Sequence, residues 1–315
     1  MLAGKPIARL TLITAALALL VAGCTVKQTR RLPPSQVLPL RQASLTELLE
    51  RIRQQHDSIR SLNARAELIP STGSAYSGVI EEYRDVRAFI LARRATPADT
   101  PDTARAQSQI RLIGQAPVVR KNIFDMVAND EEFRIYIPPK NKFIVGRTTL
   151  THQSKKPMEN LRPQHLLEAL FVPPPAATAT HLREENEIAG QRYYVVNEID
   201  TEAGALRLRR KWWFRRTNLA LVRVQRFGPE GELLSDVHYD VWTQHGRLRY
   251  PHWIQLVRPQ DDYRLTLRFD KVDLNPDLKP EKFRLEPPAG AERVDLTRAA
   301  SEQKPAARAR PQPQP

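Results

Sequence analysis

The chain has 315 residues, with 49 Lys and Arg against 35 Asp and Glu, a formal net charge of +14 and one cysteine. That length buries one large core or two small ones. A single thiol excludes an internal disulfide framework and a multi-cysteine metal site. The basic residues are spread along the chain rather than blocked, which fits a solvated basic surface over a dedicated polyanion site.

Lys5 and Arg9 form a short basic region ahead of an apolar run, Leu10 to Ala22, broken only by Thr11 and Thr14. As a helix the run is too short for a hydrocarbon core of about 30 Å, and it has the flanks of a cleavable export signal. It ends in Val21-Ala22-Gly23-Cys24, which resembles the bacterial lipobox, where the cysteine is acylated and becomes the new N-terminus. This accounts for the lone cysteine: Cys24 is the predicted lipidation site, and two or three acyl chains anchor a protein stably where one does not. Residues 1–23 are then a lipoprotein signal peptide, whose removal takes Lys5 and Arg9 and leaves a charge of +12. Thr25 at the next position, where Asp resembles an inner-membrane retention signal, points to the outer membrane facing the periplasm. Export also argues against nucleic acid as a partner.

Residues 24–43 carry Pro33, Pro34 and Pro39 and read as an extended tether. Ser44-Leu45-Thr46-Glu47 fits a capping box, and Leu45, Leu48, Leu49, Ile52 and Ile59 follow at helical spacing, so residues 45–60 are predicted as an amphipathic helix. From residue 64 the period becomes that of strands: 64–69, 76–84, 86–93, 109–114, 118–127, 132–137 and 142–147, parted by turn residues. Thr96 to Ala106 reads as a polar hairpin insertion. Pro163 at a helix start, then Leu166, Leu167, Leu170 and Phe171, predicts a second short helix stopped by Pro173-Pro174-Pro175. Strands resume at 191–199, 206–216, 219–227, 233–242, 248–257 and 263–272. The last alternates strictly, with Tyr263, Leu265, Leu267 and Phe269 on one face, as in a sheet with one dry side. Residues 297–315 hold almost no large apolar side chain and are expected to be disordered.

The fold class is therefore mainly β with few helices. Consecutive strands and short connections favour one antiparallel sheet of about 11–12 strands, which must curl. Helices of about 16 and 9 residues span only ~24 Å and ~14 Å and cannot tile its concave face. The remainder is filled by bulky side chains or stays open as an apolar cavity. Candidates to line it are Phe124, Phe133, Tyr136, Phe143, Tyr194, Trp213, Leu221, Val224, Trp242, Trp253, Leu265, Leu267 and Phe269.

Lipobox, tether, the capped helix leading into Ser61-Leu62-Asn63-Ala64-Arg65-Ala66, and the meander together look like the LolA/LolB-type lipoprotein carrier superfamily. Asn275-Pro276 and the closing Phe283-Arg284-Leu285-Glu286-Pro287-Pro288-Ala289-Gly290 are similar to the end of that domain. The resemblance covers residues 44–296 and is nearest to a lipid-anchored LolA-like branch. It implies a single incomplete barrel, its concave side plugged by the two helices around a cavity for acyl chains, and no enzymatic activity. One departure is the lack of a clear exposed apolar loop of the kind LolB-type receptors insert into membranes.

Other constellations point elsewhere only weakly. His238, His245 and His252 recur every seven residues and Asp236, His238 and Asp240 alternate, but Gly246 and Pro251 break the segment and no metal site is expected. Ser301 and Lys304 match a Ser-x-x-Lys pair in a tail without a scaffold. In Lys211-Trp212-Trp213-Phe214-Arg215-Arg216, Trp213 is expected to face the core and Trp212 to cover a neighbour. No cofactor fingerprint is present. The leading function is non-enzymatic binding or carriage of acyl chains, lipoproteins or amphiphiles by an outer-envelope lipoprotein. The alternative is a tethered sensor or structural lipoprotein with a protein partner.

Overall fold

The computed structural model describes residues 39–74, 79–82, 85–95, 107–148, 162–202 and 204–296. The predicted signal peptide with Cys24, most of the tether, the 96–106 insertion and the 297–315 tail lie outside them.

Helix α1 (Leu45–Ser58) starts at Ser44, whose side chain accepts from the Glu47 amide at 3.1 Å. That bond satisfies one of the orphan donors of the first turn. Its inward stripe, Leu48 and Ile52, is fully buried, and each such side chain contributes about 1.5–3 kcal/mol of transfer free energy. Helix α2 (Pro163–Leu170) has Pro163 at its first turn, as its fixed φ favours, and buries Leu166, Leu167, Ala169 and Leu170.

Around the helices run β1 (Ser61–Ser74), β2 (Val79–Glu82), β3 (Val86–Arg93), β4 (Gln109–Gln115), β5 (Asn122–Ala128), β6 (Glu132–Ile137) and β7 (Lys142–Arg147). After α2 come β8 (Thr180–Ile188), β9 (Gln191–Glu202), β10 (Ala205–Arg215), β11 (Ala220–Phe227), β12 (Leu233–His245), β13 (Leu248–Arg258), β14 (Tyr263–Leu274) and β15 (Glu292–Asp295). All 15 strands belong to one sheet, ordered β15-β7-β6-β5-β4-β3-β1-β14-β13-β12-β11-β10-β9-β8, with β2 paired to β1 alone. The sheet does not close into a barrel: β15 and β8 are its two edges.

The sheet has more strands than expected. β8 reads Thr-His-Leu-Arg-Glu-Glu-Asn-Glu-Ile, polar enough to hide its period, and its charge suits an edge that must resist pairing with other chains. The short β15 pairs with β7 in parallel, the one exception to the antiparallel pattern. The run expected as a strand at 118–127 begins only at Asn122, because Ala116 to Lys121 makes a turn. The run expected at 76–84 is described only as β2.

The centre of the sheet is the antiparallel pair β1·β14, with Leu68 opposite Leu267 and a bulge between Arg65 and Ala66. Asn275 locks its end. In a left-handed conformation (φ 59°), its carboxamide accepts from the Arg60 amide at 2.7 Å and donates to the Ser58 carbonyl at 2.7 Å. The predicted Asn-Pro turn thus fastens the α1–β1 junction to the last long strand. Polar bonds dock α2 from the other side. The Tyr250 hydroxyl donates to the Leu170 carbonyl at 3.0 Å, Arg226 pairs with Glu168 at 2.6 Å, and the Tyr263 hydroxyl is hydrogen-bonded to His165 Nδ1 at 2.5 Å.

Candidate functional site

The predicted cavity residues divide between the two faces of the sheet. Phe133, Tyr194, Leu221, Val224, Leu265, Leu267 and Phe269 join the main core under α1 and α2, with Phe124 and Trp242 packed against it. The final-strand alternation read from the sequence holds. These side chains mostly fill the concave side: Tyr194, Leu265, Leu267 and Phe269 are at most 1% exposed.

Two of the aromatic rings lie on glycines across the sheet. Phe124 stands opposite Gly114 and Phe133 opposite Gly146. A Cβ added at Gly114 would fall 2.3 Å from the Phe124 ring, and one at Gly146 would fall 2.5 Å from Phe133. Each ring thus fills the space that a side chain on its glycine partner would take.

Four candidates stand elsewhere. Phe143 and the half-buried Tyr136 form a second cluster with Val127 and Leu285, where the closing Phe-x-Leu motif packs on β5 and β7. Trp213 was expected in the core under the helices; it is buried, but outside that cluster. Trp212 and Phe214 enter it, while Trp213 turns to the other face, donates its indole N–H to Gln225 at 2.9 Å and lies under Arg223. Alternation explains the swap, since Trp212 and Phe214 stand opposite Val196 and Tyr194, both core residues. Trp253, opposite Arg268, is half-buried outside either cluster.

The core under the helices reaches the surface at a cleft of about 310 Å³, between α1 and the β10–β13 end of the sheet. That is the lower end of the size of small-molecule sites. Ile52 and Gln55 stand on the helix side; Phe214, Leu219, Leu221 and Trp242 stand on the sheet side. Arg51, Arg247 and Arg249 also line it. The Trp242 indole N–H donates to the Leu221 carbonyl at 2.9 Å, which fixes the ring on the cleft wall.

Local backbone geometry puts that ring there. Alternation from the buried Tyr239 would send Val241 into the core, but Val241 has φ 51° and is 55% exposed, and Trp242 packs on the core instead. Leu219, in the β10–β11 turn, has φ 56°. Bulky side chains rarely occupy the left-handed region, because Cβ crowds the backbone there, and such strain collects at functional sites. Leu219 lines the cleft and Val241 precedes a residue that lines it. Positive φ at these two positions carries no composition signal, so this site was not readable from the sequence.

One polar cluster lies on the other face of the sheet. Arg223 grips Asp236 through two bonds of 2.7 and 2.5 Å, with His238 3.2 Å from the same carboxylate. Burial pushes Asp236 up, but the Arg223 and His238 bonds outweigh it and hold the carboxyl below its usual range. Among the described residues no cluster of three His, Cys, Asp or Glu side chains is arranged to hold a metal. Ser301 and Lys304 lie outside the described residues.

One surface feature bears on contact with lipid. In the β4–β5 turn, Val118 and Val119 are 90% and 65% exposed, followed directly by Arg120 and Lys121. They form a two-residue apolar tip on the β4–β5 turn. No helix among the described residues is long and apolar enough to cross a membrane.

Open sheet, helices on the concave side and a cleft at their margin together define an open half-barrel. A DUF1329 family protein from Desulfovibrio piger aligns at a TM-score of 0.50 and 12% identity, over 75% of this chain and 94% of that one. A domain assigned to outer membrane lipoprotein sorting from Vibrio parahaemolyticus aligns at 0.48 and 14% identity, over 76% and 95%. A LolA superfamily protein from Nitrosomonas europaea aligns at 0.46 and 12%, over 75% and 97%. At 12% identity the likeness to the Desulfovibrio piger protein is one of fold alone. No protein-family model and no curated protein matches the sequence.

Proposed function

We propose that this chain is a lipid-anchored envelope protein that binds and carries acyl chains, without chemistry, between α1 and the concave sheet. The observation that carries the reading is the cleft at α1, where the apolar core opens to the surface beside a helix and two strained backbone positions. Acyl burial needs only apolar surface and a movable cover, since transfer contributes about 0.8 kcal/mol per methylene. Helix α1 suits that cover: its apolar seal is the Leu48 and Ile52 stripe, its polar bonds gather at its C-terminal end, and it follows directly on the tether predicted to hold it near a bilayer. The Val118-Val119 tip with Arg120 and Lys121 supports the same reading, because an apolar tip beside cations favours contact with an anionic lipid surface. Anchoring through Cys24 and placement at the outer membrane are part of the proposal.

The test is acyl uptake by the delipidated protein, read by native mass spectrometry. Discrete adducts with fatty acyl probes are expected. A protein that stays free of adducts, yet is captured specifically by another envelope protein, would overturn carriage and favour the tethered sensor.

A further inference from the structure

The α1 cleft carries more information than its apolar wall. Among the cations around it, Arg51 is paired with Glu47 at 3.0 Å, whereas Arg247 and Arg249 form no ion pair among the described residues. Both are exposed, and they flank the half-buried Leu248 just past the β12–β13 turn, where Gly246 takes φ 61°. The turn therefore sets two uncompensated guanidinium groups at the lip of a cleft whose wall is Trp242, Leu219 and Leu221. No carboxylate lines this cleft. A guanidinium recognises carboxylate and phosphate oxygens in a forked geometry, and does so more strongly beside an apolar wall than in bulk water.

We propose that this cleft is the binding site for an anionic acyl lipid. The chain lies against Trp242, Leu219 and Leu221, and the charged headgroup is held by Arg247 and Arg249. The inference rests on the acyl-binding reading above and gives it a ligand class. Three features converge on it independently. The charge at the lip is unpaired, the wall is apolar and continuous with the core, and two large apolar residues with positive φ, Leu219 and Val241, fall at the same place. Without the strain at Val241, alternation would leave Trp242 on the opposite face of β12 and the cleft would lose its largest apolar side chain.

Three probes with one chain and different heads test it: oleate, oleyl alcohol and oleylamine, each titrated into the full protein and followed through Trp fluorescence. Oleate is expected to bind about tenfold or more tightly than the alcohol, with the amine weakest. Its advantage should shrink with added salt, as a solvent-exposed charge contact does. Arg247→Glu with Arg249→Glu should abolish the preference without moving the melting temperature, because both side chains are exposed. Trp242→Ala should weaken oleate and alcohol alike. Equal affinity for all three heads, unchanged by the double charge reversal, would overturn the anion site while leaving acyl binding intact. Failure of all three probes to bind would overturn acyl carriage itself. Displacement of oleate by inorganic phosphate alone would show a free-anion site and overturn the lipid assignment.

Discussion

His56 Nε2 lies 2.6 Å from Arg94 Nη1, and the same guanidinium also donates to the His56 carbonyl at 3.2 Å. A guanidinium has no lone pair to offer, so the imidazole Nε2 must accept and carry no proton. Nδ1 then holds the hydrogen and donates to the Val172 carbonyl at 2.8 Å. One neutral ring thus joins the end of β3, the last turn of α1 and the segment after α2. It closes the helix that forms one wall of the cleft.

Burial, assisted by Arg94, lowers the His56 pKa below its ordinary 6.5, against the Val172 bond and Asp57, which raise it. The unfolded chain then binds the proton more readily than the folded one. The stabilisation is complete above pH 6.5 and is lost as pH falls from there toward the depressed folded value. Thermal melts should show a lower melting temperature at about pH 5 than at about pH 7.5. His56→Gln, which can still accept from Arg94 and donate to Val172, should flatten that part of the profile; an unchanged slope would assign it to other groups.

His165 provides a second, deeper acid-sensitive contact. Burial, with Arg258 adding to it, lowers its pKa to about 3, so the ring stays neutral in its hydrogen bond with Tyr263. The sign is the same, and its window runs from pH 6.5 down to about 3. Its NMR resonances should not titrate between about pH 7 and pH 4 while the protein stays folded. A midpoint near 6.5 would mean that α2 is not docked in solution.

Leu267 is enclosed by Leu68 on one neighbouring strand and Ile254 on the other. Leu267→Ala should cost about 2–5 kcal/mol in denaturant melts, as deletion in a filled core does. Gly114→Ala and Gly146→Ala should each destabilise by about 1–3 kcal/mol, because Phe124 or Phe133 must leave its place on the backbone. A neutral result at Gly114 would show that the Phe124 ring has room to move and that a lumen exists there.

Replacing Val118 and Val119 with Glu should reduce cosedimentation with phosphatidylglycerol vesicles severalfold while leaving the melting temperature unchanged, since both side chains are exposed. Equal loss on phosphatidylcholine vesicles would indicate that Arg120 and Lys121 add nothing to the contact. Cys24→Ala should release the protein from the membrane fraction; a variant that fractionates like the wild type would remove the lipid anchor from the proposal.

Much of the architecture was legible from period alone. The α1 stripe, the Pro163 helix start and the strict alternation of Tyr263 to Phe269 each reflect one buried face, and burial is what residue spacing encodes. β8 was not legible, because an edge strand with polar side chains loses the alternation that marks an inner one. The faces of Trp212 and Trp213 were inverted, because two adjacent tryptophans satisfy either register and only the partners Tyr194 and Val196 decide between them. The cleft was hidden for a different reason. Its shape follows from backbone angles at Leu219 and Val241, where the residue types themselves argue against the conformation adopted.

The seam between β1 and β14 joins Glu67 to Arg268, 201 residues apart, in the middle of the sheet. A chain emerging N-terminus first therefore offers β3 to β1 early, but the other side of β1 stays unpaired until nearly the whole domain has appeared. Closing so large a loop is slow, and an open strand edge invites pairing with other molecules meanwhile. The order of synthesis thus runs against the order of assembly, and a holding factor that shields β1 during that interval would raise the yield of folded protein. A premature stop before Leu274 has a matching effect: it shortens or deletes the strand on which both halves of the sheet close, so nonsense products should be degraded rather than accumulate as shortened folds.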